Sequence, residues 1–315
     1  MRIYEGSDAL AGAASGCVLT VGNFDGVHLG HQSLLRTILE RGRALGKPTA
    51  LYTFDPHPRR VLSSDGAPRL LMSWDQLVAE LGRVGIDMLI RERFTREFAS
   101  LSAEDFLRDI IGARLQPTEI HVGRDFHFGT GRSGSAETLR RLGPKFGIRV
   151  EIVPQVKASD TDISSTRIRN ALASGDVAEA ERCLGRPYSV WGVVVRGEER
   201  GRTLGFPTLN LKTANEVIPA HGVYATTARF LDGKGEESME RASVTNVGTR
   251  PTFGPGRVLV ETHLIDGEGD FYDRHVAVSF RARIRPEQRF SGLDALKKQI
   301  SRDVEAARKI LNSAG

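Results

Sequence analysis

The amino-acid sequence predicts two unlike domains in tandem: an α/β domain built on a parallel sheet, then a small antiparallel barrel or sandwich followed by one helix. Three observations carry this. The chain has 315 residues, more than one average hydrophobic core holds. Up to about Gly185, short apolar runs alternate with segments whose apolar residues recur three and four apart, which implies a parallel sheet wrapped by helices. From Tyr188 onward the runs are rich in Val and Thr and are punctuated by Gly, Pro and Asn, the pattern of short antiparallel strands.

In the first half, Cys17–Val21, Thr49–Phe54, Met88–Ile90, Glu119–Val122 and Val150–Val153 read as short buried strands. Between them, Leu34, Leu35, Ile38 and Leu39, then Leu77, Leu81 and Val84, then Phe106, Leu107, Ile110 and Ile111 have helical spacing. Ser73 and Gln76 have capping-box spacing at the start of the second helix. In the second half, Ser189–Arg196, Val223–Leu231, Ser243–Val247, Val258–Ile265 and Val276–Ile284 read as strands. A closing amphipathic helix carries Leu293, Leu296, Ile300, Val304 and Ala307 on one stripe. The boundary is expected near Gly185-Arg186-Pro187, and there is no internal repeat.

Composition narrows the function classes. A chain that is 40% hydrophobic and 26% charged is an ordinary soluble globular protein. The net charge of +5, from 44 basic against 39 acidic residues, is spread along the chain. It suits anionic small ligands at least as well as nucleic acid. No Lys/Arg block occurs and basic and aromatic residues do not interleave, so no nucleic-acid partner is expected. Cys17 and Cys183 lie far apart without metal spacing, as in a reducing compartment. Glu5 and Asp8 interrupt the apolar start and no run approaches membrane-spanning length. The expectation is a cytoplasmic protein with no membrane partner; a homo-oligomer is left open.

The chemistry concentrates first in Val21-Gly22-Asn23-Phe24-Asp25-Gly26-Val27-His28-Leu29-Gly30-His31-Gln32, between a strand and a helix. His28 and His31 are three apart at a helix start, hence on one face. Free backbone N–H groups and the positive dipole end favour a phosphate there, and Gly22, Gly26 and Gly30 leave room for close approach of a ligand. A zinc site would need a third ligand, for which His57 is the candidate, but no metalloprotease spacing occurs. The plainer alternative is two histidines that only pack and cap the helix. Two further segments converge on the same sheet edge: Thr53-Phe54-Asp55-Pro56-His57-Pro58, and Ile163-Ser164-Ser165-Thr166-Arg167-Ile168-Arg169, which offers hydroxyls and a guanidinium at a helix start.

Gly22-x-Phe24-Asp25-Gly26-x-His28-x-Gly30-His31, together with Ser164-Ser165-Thr166-x-Ile168-Arg169, resembles the H-x-G-H nucleotidyltransferases. Asp55-Pro56-His57-Pro58 and Val122-Gly123-Arg124-Asp125-Phe126-His127-Phe128-Gly129 narrow the resemblance to bacterial bifunctional riboflavin kinase/FAD synthetases. Gly129-Thr130-Gly131-Arg132-Ser133-Gly134 is a literal G-x-G-x-x-G, but it starts several residues past Val122, whereas a dinucleotide fingerprint follows its strand at once. It reads as a loop near the flavin.

In the second half, Thr208 and Asn210 in Gly205-Phe206-Pro207-Thr208-Leu209-Asn210 are two apart, on one side of an extended segment. Their oxygens could share Mg²⁺ with nucleotide phosphates; a polar turn after Pro207 is the alternative. No Walker A sequence occurs. Glu261, in Val260-Glu261-Thr262-His263, is either a solvated surface carboxylate or, facing a cleft, the acceptor of a proton from an attacking hydroxyl. Pro207-Thr208-x-Asn210, Gly222-Val223-Tyr224-Ala225, Asn246-x-Gly248-x-Arg250-Pro251-Thr252 and Glu261-Thr262-His263 resemble flavokinase in order, and Phe290-Ser291 to Asp303 its C-terminal helix. Two departures are Leu209 for the usual alanine, expected to face away from the ligands, and Asp273 after Tyr272 where glycine is usual, which puts the local turn in doubt. Asp266-Gly267-Glu268-Gly269-Asp270 lacks an EF-hand pattern and reads as a hairpin turn.

The resemblance implies a Rossmann-like FMN adenylyltransferase domain with a parallel sheet over residues 1–185. It implies an antiparallel β-barrel riboflavin kinase domain with a C-terminal helix over 186–315. The substrates it implies are riboflavin, FMN and ATP, with Mg²⁺. Glu261, His28, His31 and Arg169 are the catalytic candidates. Gly22, Phe24, Asp25, Gly30, Ser165, Thr166 and Arg202 are candidates for ATP, and Thr208 and Asn210 for the metal. Asp125, His57 and Phe128, the last by ring stacking, are candidates for the flavin. The rival readings are one live activity of the two, or a flavin or nucleotide sensor without turnover.

Overall fold

The computed structural model describes residues 1–313 apart from 11, 64–65, 159–160, 198–204, 233–238, 250–257 and 268. The chain divides into two compact units, residues 1–69 with 74–163, and residues 70–73 with 164–315.

The first unit is a six-stranded parallel sheet in the order β1-β4-β3-β2-β5-β8. Its strands are β1 (Arg2–Glu5), β2 (Val18–Val21), β3 (Thr49–Asp55), β4 (Met88–Arg93), β5 (Glu119–Gly123) and β8 (Arg149–Val153). All five expected strands occur, and the edge strand β1, whose four residues carry no apolar run, is additional. Every residue of β2 is buried, as helices on both faces of a parallel sheet require. The short strands β6 (His127–Phe128) and β7 (Gly134–Ser135) form a hairpin around the glycine-rich loop. β9 (Lys157–Ala158) pairs with β10 (Thr161–Asp162).

Helix α1 (Leu29–Leu45) follows β2 and ends at Gly46, whose φ of 62° is the left-handed cap that glycine accepts without strain. The short helix α2 (Pro58–Leu62) follows β3, and α3 (Trp74–Val84) begins where the Ser73/Gln76 spacing places it. The third expected helix is wider than expected. After the short turns α4 (Arg96–Ala99) and α5 (Ala103–Asp105), residues Phe106–Leu115 form a π-helix, closed by Gln116 N–H donating to Ile111 O at 2.8 Å. Its buried residues are Phe106, Leu107, Ile110, Ile111 and Leu115, and the i→i+5 turn keeps Phe106 over Ile111 and Ile110 over Leu115. Helix α6 (Ala136–Leu142) precedes β8.

The second unit is a closed antiparallel barrel in the order β11-β12-β15-β14-β13-β16, which decides between barrel and sandwich. The strands are β11 (Tyr188–Val195), β12 (Leu209–Thr213), β13 (Gly222–Phe230), β14 (Arg241–Thr249), β15 (Val258–Leu264) and β16 (His275–Arg285). β12 turns the extended segment read around Thr208 and Asn210 into a five-residue barrel strand. β15 and β16 are not neighbours, so Asp266–Asp270 is a connection across the barrel end and not the expected hairpin turn. Inside the barrel, four fully buried hydroxyls form a chain: Ser243 to Thr226 at 2.8 Å, Thr226 to Thr245 at 2.8 Å and Thr245 to Thr262 at 2.9 Å.

Helices α7 (Ser165–Ser174) and α8 (Val177–Leu184) belong to this unit. Arg283 of β16 donates to Ser174 O at 3.2 Å and Ala220 N–H to Leu172 O at 2.9 Å. Compactness therefore divides the chain upstream of Gly185. The C-terminal helix α9 (Leu293–Asn312) packs Val304, Ala307, Ile310 and Leu311 on Val223, Ala225, Val244 and Ile265. Its expected apolar stripe is only half used, since Leu293 is 68% exposed. The helix is pinned instead by Asp303, 3% exposed, which accepts hydrogen bonds from Arg285 at 3.0, 3.1 and 2.8 Å and from Gln299 at 2.9 Å. Removing one partner of such a pair strands the other charge, so Asp303→Ala is expected to cost about 3 kcal/mol, read as a lowered midpoint of the barrel's transition in urea.

Candidate functional site

In the first unit the site is built by the turn that joins β2 to α1. Phe24 (φ 49°), Gly26 (φ 87°) and Val27 (φ 40°) are all left-handed, and for a β-branched residue such as Val27 that conformation is a true outlier. Such strain, about 1–3 kcal/mol per residue, persists only where packing over-determines it; Phe24 is 2% and Val27 0% exposed. Asp25 is buried beside them. The glycines have different jobs. Only Gly26 serves a left-handed turn. A Cβ on Gly22 would sit 3.2 Å from the Phe24 ring, and one on Gly30 3.1 Å from His28 Nδ1. These two glycines therefore make room for the site's own side chains, in addition to any ligand.

His28 is the N-cap of α1, and its Nδ1 accepts the His31 N–H at 3.3 Å. An acceptor Nδ1 places the ring proton on Nε2. The two imidazoles stack at 3.6 Å with an interplanar angle of 16°, and Phe24 lies 4.8 Å from His31. His31 is held well below the usual imidazole range, first by burial and then by the neighbouring His28 charge. Its Nδ1 is buried with no partner among the described residues. A neutral His31 capped by His28 combines the two sequence alternatives: these histidines do cap the helix, and they also present ring N–H groups at its start.

The remaining candidates of this unit behave differently from one another. His57 caps α2, accepting Arg59 N–H at 3.2 Å. Asp125 is exposed and accepts a hydrogen bond from Gln155. Phe128 is 8% exposed, packed 5.5 Å from both Phe106 and Phe126, and Gly134 is pressed against its ring. It packs in the core of this unit, with half-buried Phe126 stacked on it. The G-x-G-x-x-G segment is the tip of the β6–β7 hairpin and does not open a helix after a buried strand. Ser165, Thr166 and Arg169 lie together at the start and on the first turns of α7, capped by Ser164 accepting Arg167 N–H at 3.2 Å. They belong to the second compact unit, and His28 and His31 to the first.

In the second unit Thr208 and Asn210 line one cavity of about 560 Å³ with Val194, Gly197, Phe271 and Tyr272. Leu209 between them is 8% exposed and turned to the barrel interior, as expected. Asn210 lies directly opposite Glu261, and Glu261 opposite Asn246. Gly197 is required by Asn210, whose side chain would lie 2.3 Å from a Cβ there. Asp273 has φ 62°, the region a glycine would occupy; Asp is among the few other residues that enter it readily, and its N–H closes on Val194 O at 2.9 Å. The aromatic wall was not singled out in the sequence, although the Asp270-Phe271-Tyr272 run was visible. Phe271 stacks 4.8 Å from Phe230 and Arg196 lies 5.2 Å from the Tyr272 ring. Arg202 and Arg250–Phe253 lie outside the described residues.

Two family descriptions match in tandem, FAD synthetase over residues 11–167 and riboflavin kinase over 184–311. The chain is 41% identical over 310 residues to the bifunctional riboflavin kinase/FMN adenylyltransferase of Escherichia coli K12, covering 98% of this chain and 97% of that one. The chain belongs to the bifunctional riboflavin kinase/FMN adenylyltransferase family. It is also 40% identical to the relative of that name from Pseudomonas fluorescens, over 98% of both chains. A crystal structure described as a macrolide-efflux protein of Streptococcus pneumoniae superposes with a TM-score of 0.87 at 31% identity, covering 98% of this chain and 99% of that one. Among the described residues no helix is long and apolar enough to cross a membrane.

The depressed basicity of His31 has a measurable sign. Below about pH 6.5 the unfolded chain takes up a proton that the folded imidazole refuses, so stability falls as pH falls, by up to about 1.4 kcal/mol per pH unit for this one group. Denaturation of the wild type between pH 7 and 5 should therefore steepen relative to His31→Gln, and parallel profiles would show that His31 is not held neutral.

Proposed function

We propose that the carboxyl-terminal half phosphorylates riboflavin to FMN with ATP and that the amino-terminal half joins FMN to the adenylyl group of ATP, giving FAD and pyrophosphate. Kinase chemistry is assigned to residues 186–315 and adenylyl transfer to 1–185, with Ser165, Thr166 and Arg169 of α7 serving the latter. The observation that carries the reading is the pairing of Glu261 in register with Asn210, which with Thr208 lines a cavity of about 560 Å³. A carboxylate one strand away from the cavity-lining Asn210 supports a kinase role for Glu261 over that of a plain surface carboxylate.

In the kinase step Glu261 accepts the proton of the ribityl 5′-hydroxyl as its oxygen attacks the γ-phosphorus, and ADP leaves. Mg²⁺ suits Thr208 and Asn210: both offer hard oxygen donors to one cavity, and Mg²⁺ takes few protein ligands where phosphates supply the rest. Among the described residues no cluster of three or more His, Cys, Asp or Glu could hold a metal instead. When bound, the ion neutralises phosphate charge.

In the adenylyl step an FMN phosphate oxygen attacks the α-phosphorus. It is already ionised, so no protein base is required. His28 donates through Nε2–H, and neutral His31 through its ring N–H, to phosphate oxygens as charge builds there. Gly22, Phe24, Asp25 and Gly30 are the ATP candidates beside them, and Asp125, His57 and Phe128 are the flavin candidates. Both cysteines are free and buried, which agrees with a cytoplasmic location.

Glu261→Ala is expected to lower FMN formation about 100-fold or more while FAD still forms from supplied FMN. His28→Ala with His31→Ala should lower adenylylation about 100-fold or more and leave riboflavin phosphorylation in place. Flavins resolved chromatographically over time give both rates. Equal damage to both steps by either variant would contradict the assignment of sites to halves, and no conversion by the wild type would remove the enzyme reading.

A further inference from the structure

The barrel register extends the kinase site by one residue. Asn210, Glu261 and Asn246 are successive partners across β12, β15 and β14, so their side chains share a face with neighbouring Cβ atoms about 4.5–5.5 Å apart. It is the outer face: Leu209, Leu211, Val260, Thr262, Thr245 and Val247 are buried on the other side, whereas all three members of the row are half-buried. The cavity takes in Asn210 at one end of the row and neither Glu261 nor Asn246. The carboxamide of Asn246 has no hydrogen-bond partner among the described residues. A half-buried carboxamide left unpaired by the protein is one to be satisfied by something else.

We propose that Asn246 binds the polyol side chain of the flavin and thereby sets the approach of the reacting hydroxyl to Glu261. The inference rests on the kinase reading above. If the nucleotide fills the cavity on the β12 side, the acceptor must reach Glu261 from the β14 side, where Asn246 is the next residue of the row. A carboxamide donates and accepts at once, which matches a pair of vicinal hydroxyls. A carboxylate at the same place would add negative charge next to the phosphates being handled. Asn246 is thus a binding residue for the acceptor, as Asn210 is for the donor.

The test uses the full-length chain and initial rates of FMN formation, with riboflavin varied at saturating ATP and the reverse. Asn246→Ala is expected to raise KM for riboflavin about tenfold, the worth of about one or two hydrogen bonds, with KM for ATP within about twofold. Asn246→Ser, which keeps a hydroxyl, should recover part of the loss. Lumiflavin, which has the ring system and no polyol, serves as a competitive inhibitor; its inhibition constant should be the same for wild type and Asn246→Ala. A rise in KM for ATP instead, an unchanged KM for riboflavin, or an equal loss of lumiflavin binding overturns the role of Asn246. Should Asn246→Ala melt below the assay temperature, KM for riboflavin and the lumiflavin inhibition constant measured on the serine variant decide the same question. A wild-type chain that forms no FMN overturns the kinase reading itself.

Discussion

Strand register in the barrel is the constraint on which the second half depends. Side chains alternate between two faces, so a slip of one residue along β15 would turn Glu261 inward and Thr262 outward. The buried chain Ser243–Thr226–Thr245–Thr262 spans β13, β14 and β15, and it is satisfied in one register only. Four hydroxyls without water would each be costly if unpaired, which makes the correct register distinct from its neighbours in energy. A purely aliphatic interior would bury as much area without that discrimination. The same register fixes the outer row of Asn210, Glu261 and Asn246, and at Val223 opposite Asn246 and Arg285 opposite Val223 it continues to the Asp303 anchor of α9.

The first half depends on a different device, a left-handed turn held by packing. Phe24, Gly26 and Val27 deliver the chain from a fully buried strand into α1 so sharply that His28 caps the helix and still stacks on His31. Burial keeps His31 neutral, which suits a group that donates to phosphate and is not asked to carry protons. In the proposed reading the two halves use opposite electrostatic strategies on the same co-substrate: neutral imidazoles and a helix start for the α-phosphate, a carboxylate for the hydroxyl that attacks the γ-phosphate. Each matches its nucleophile. An ionised phosphate needs charge relief, and a hydroxyl needs a base.

Much of this was legible before any coordinates. Long-period features such as the five parallel strands, the Val- and Thr-rich barrel strands and the amphipathic C-terminal helix follow from side-chain periodicity, which local physics imposes. The motif residues His28, His31, Thr208, Asn210 and Glu261 were visible because their chemistry is unusual for a turn or a strand. What escaped was set by partners distant in sequence. β1 carries no apolar run, and Asp266–Asp270 resembled a hairpin because only the barrel order separates β15 from β16. The packing of Phe128 against Phe106 and Gly134 was likewise not legible from its own motif. Leu293 extended the helical stripe of α9 but stays exposed. Asn246 was part of a motif, and only its register with Glu261 gives it a place in the chemistry.

The central claim is that one chain cuts ATP at two different phosphorus atoms, first at γ and then at α. Supplying riboflavin and Mg²⁺ with ATP labelled at either position measures this directly. With the γ label, FMN should be labelled and FAD should inherit that label; with the α label, FMN should be unlabelled and FAD labelled. Label from the α position in FMN, or FAD that never acquires it, would contradict the account.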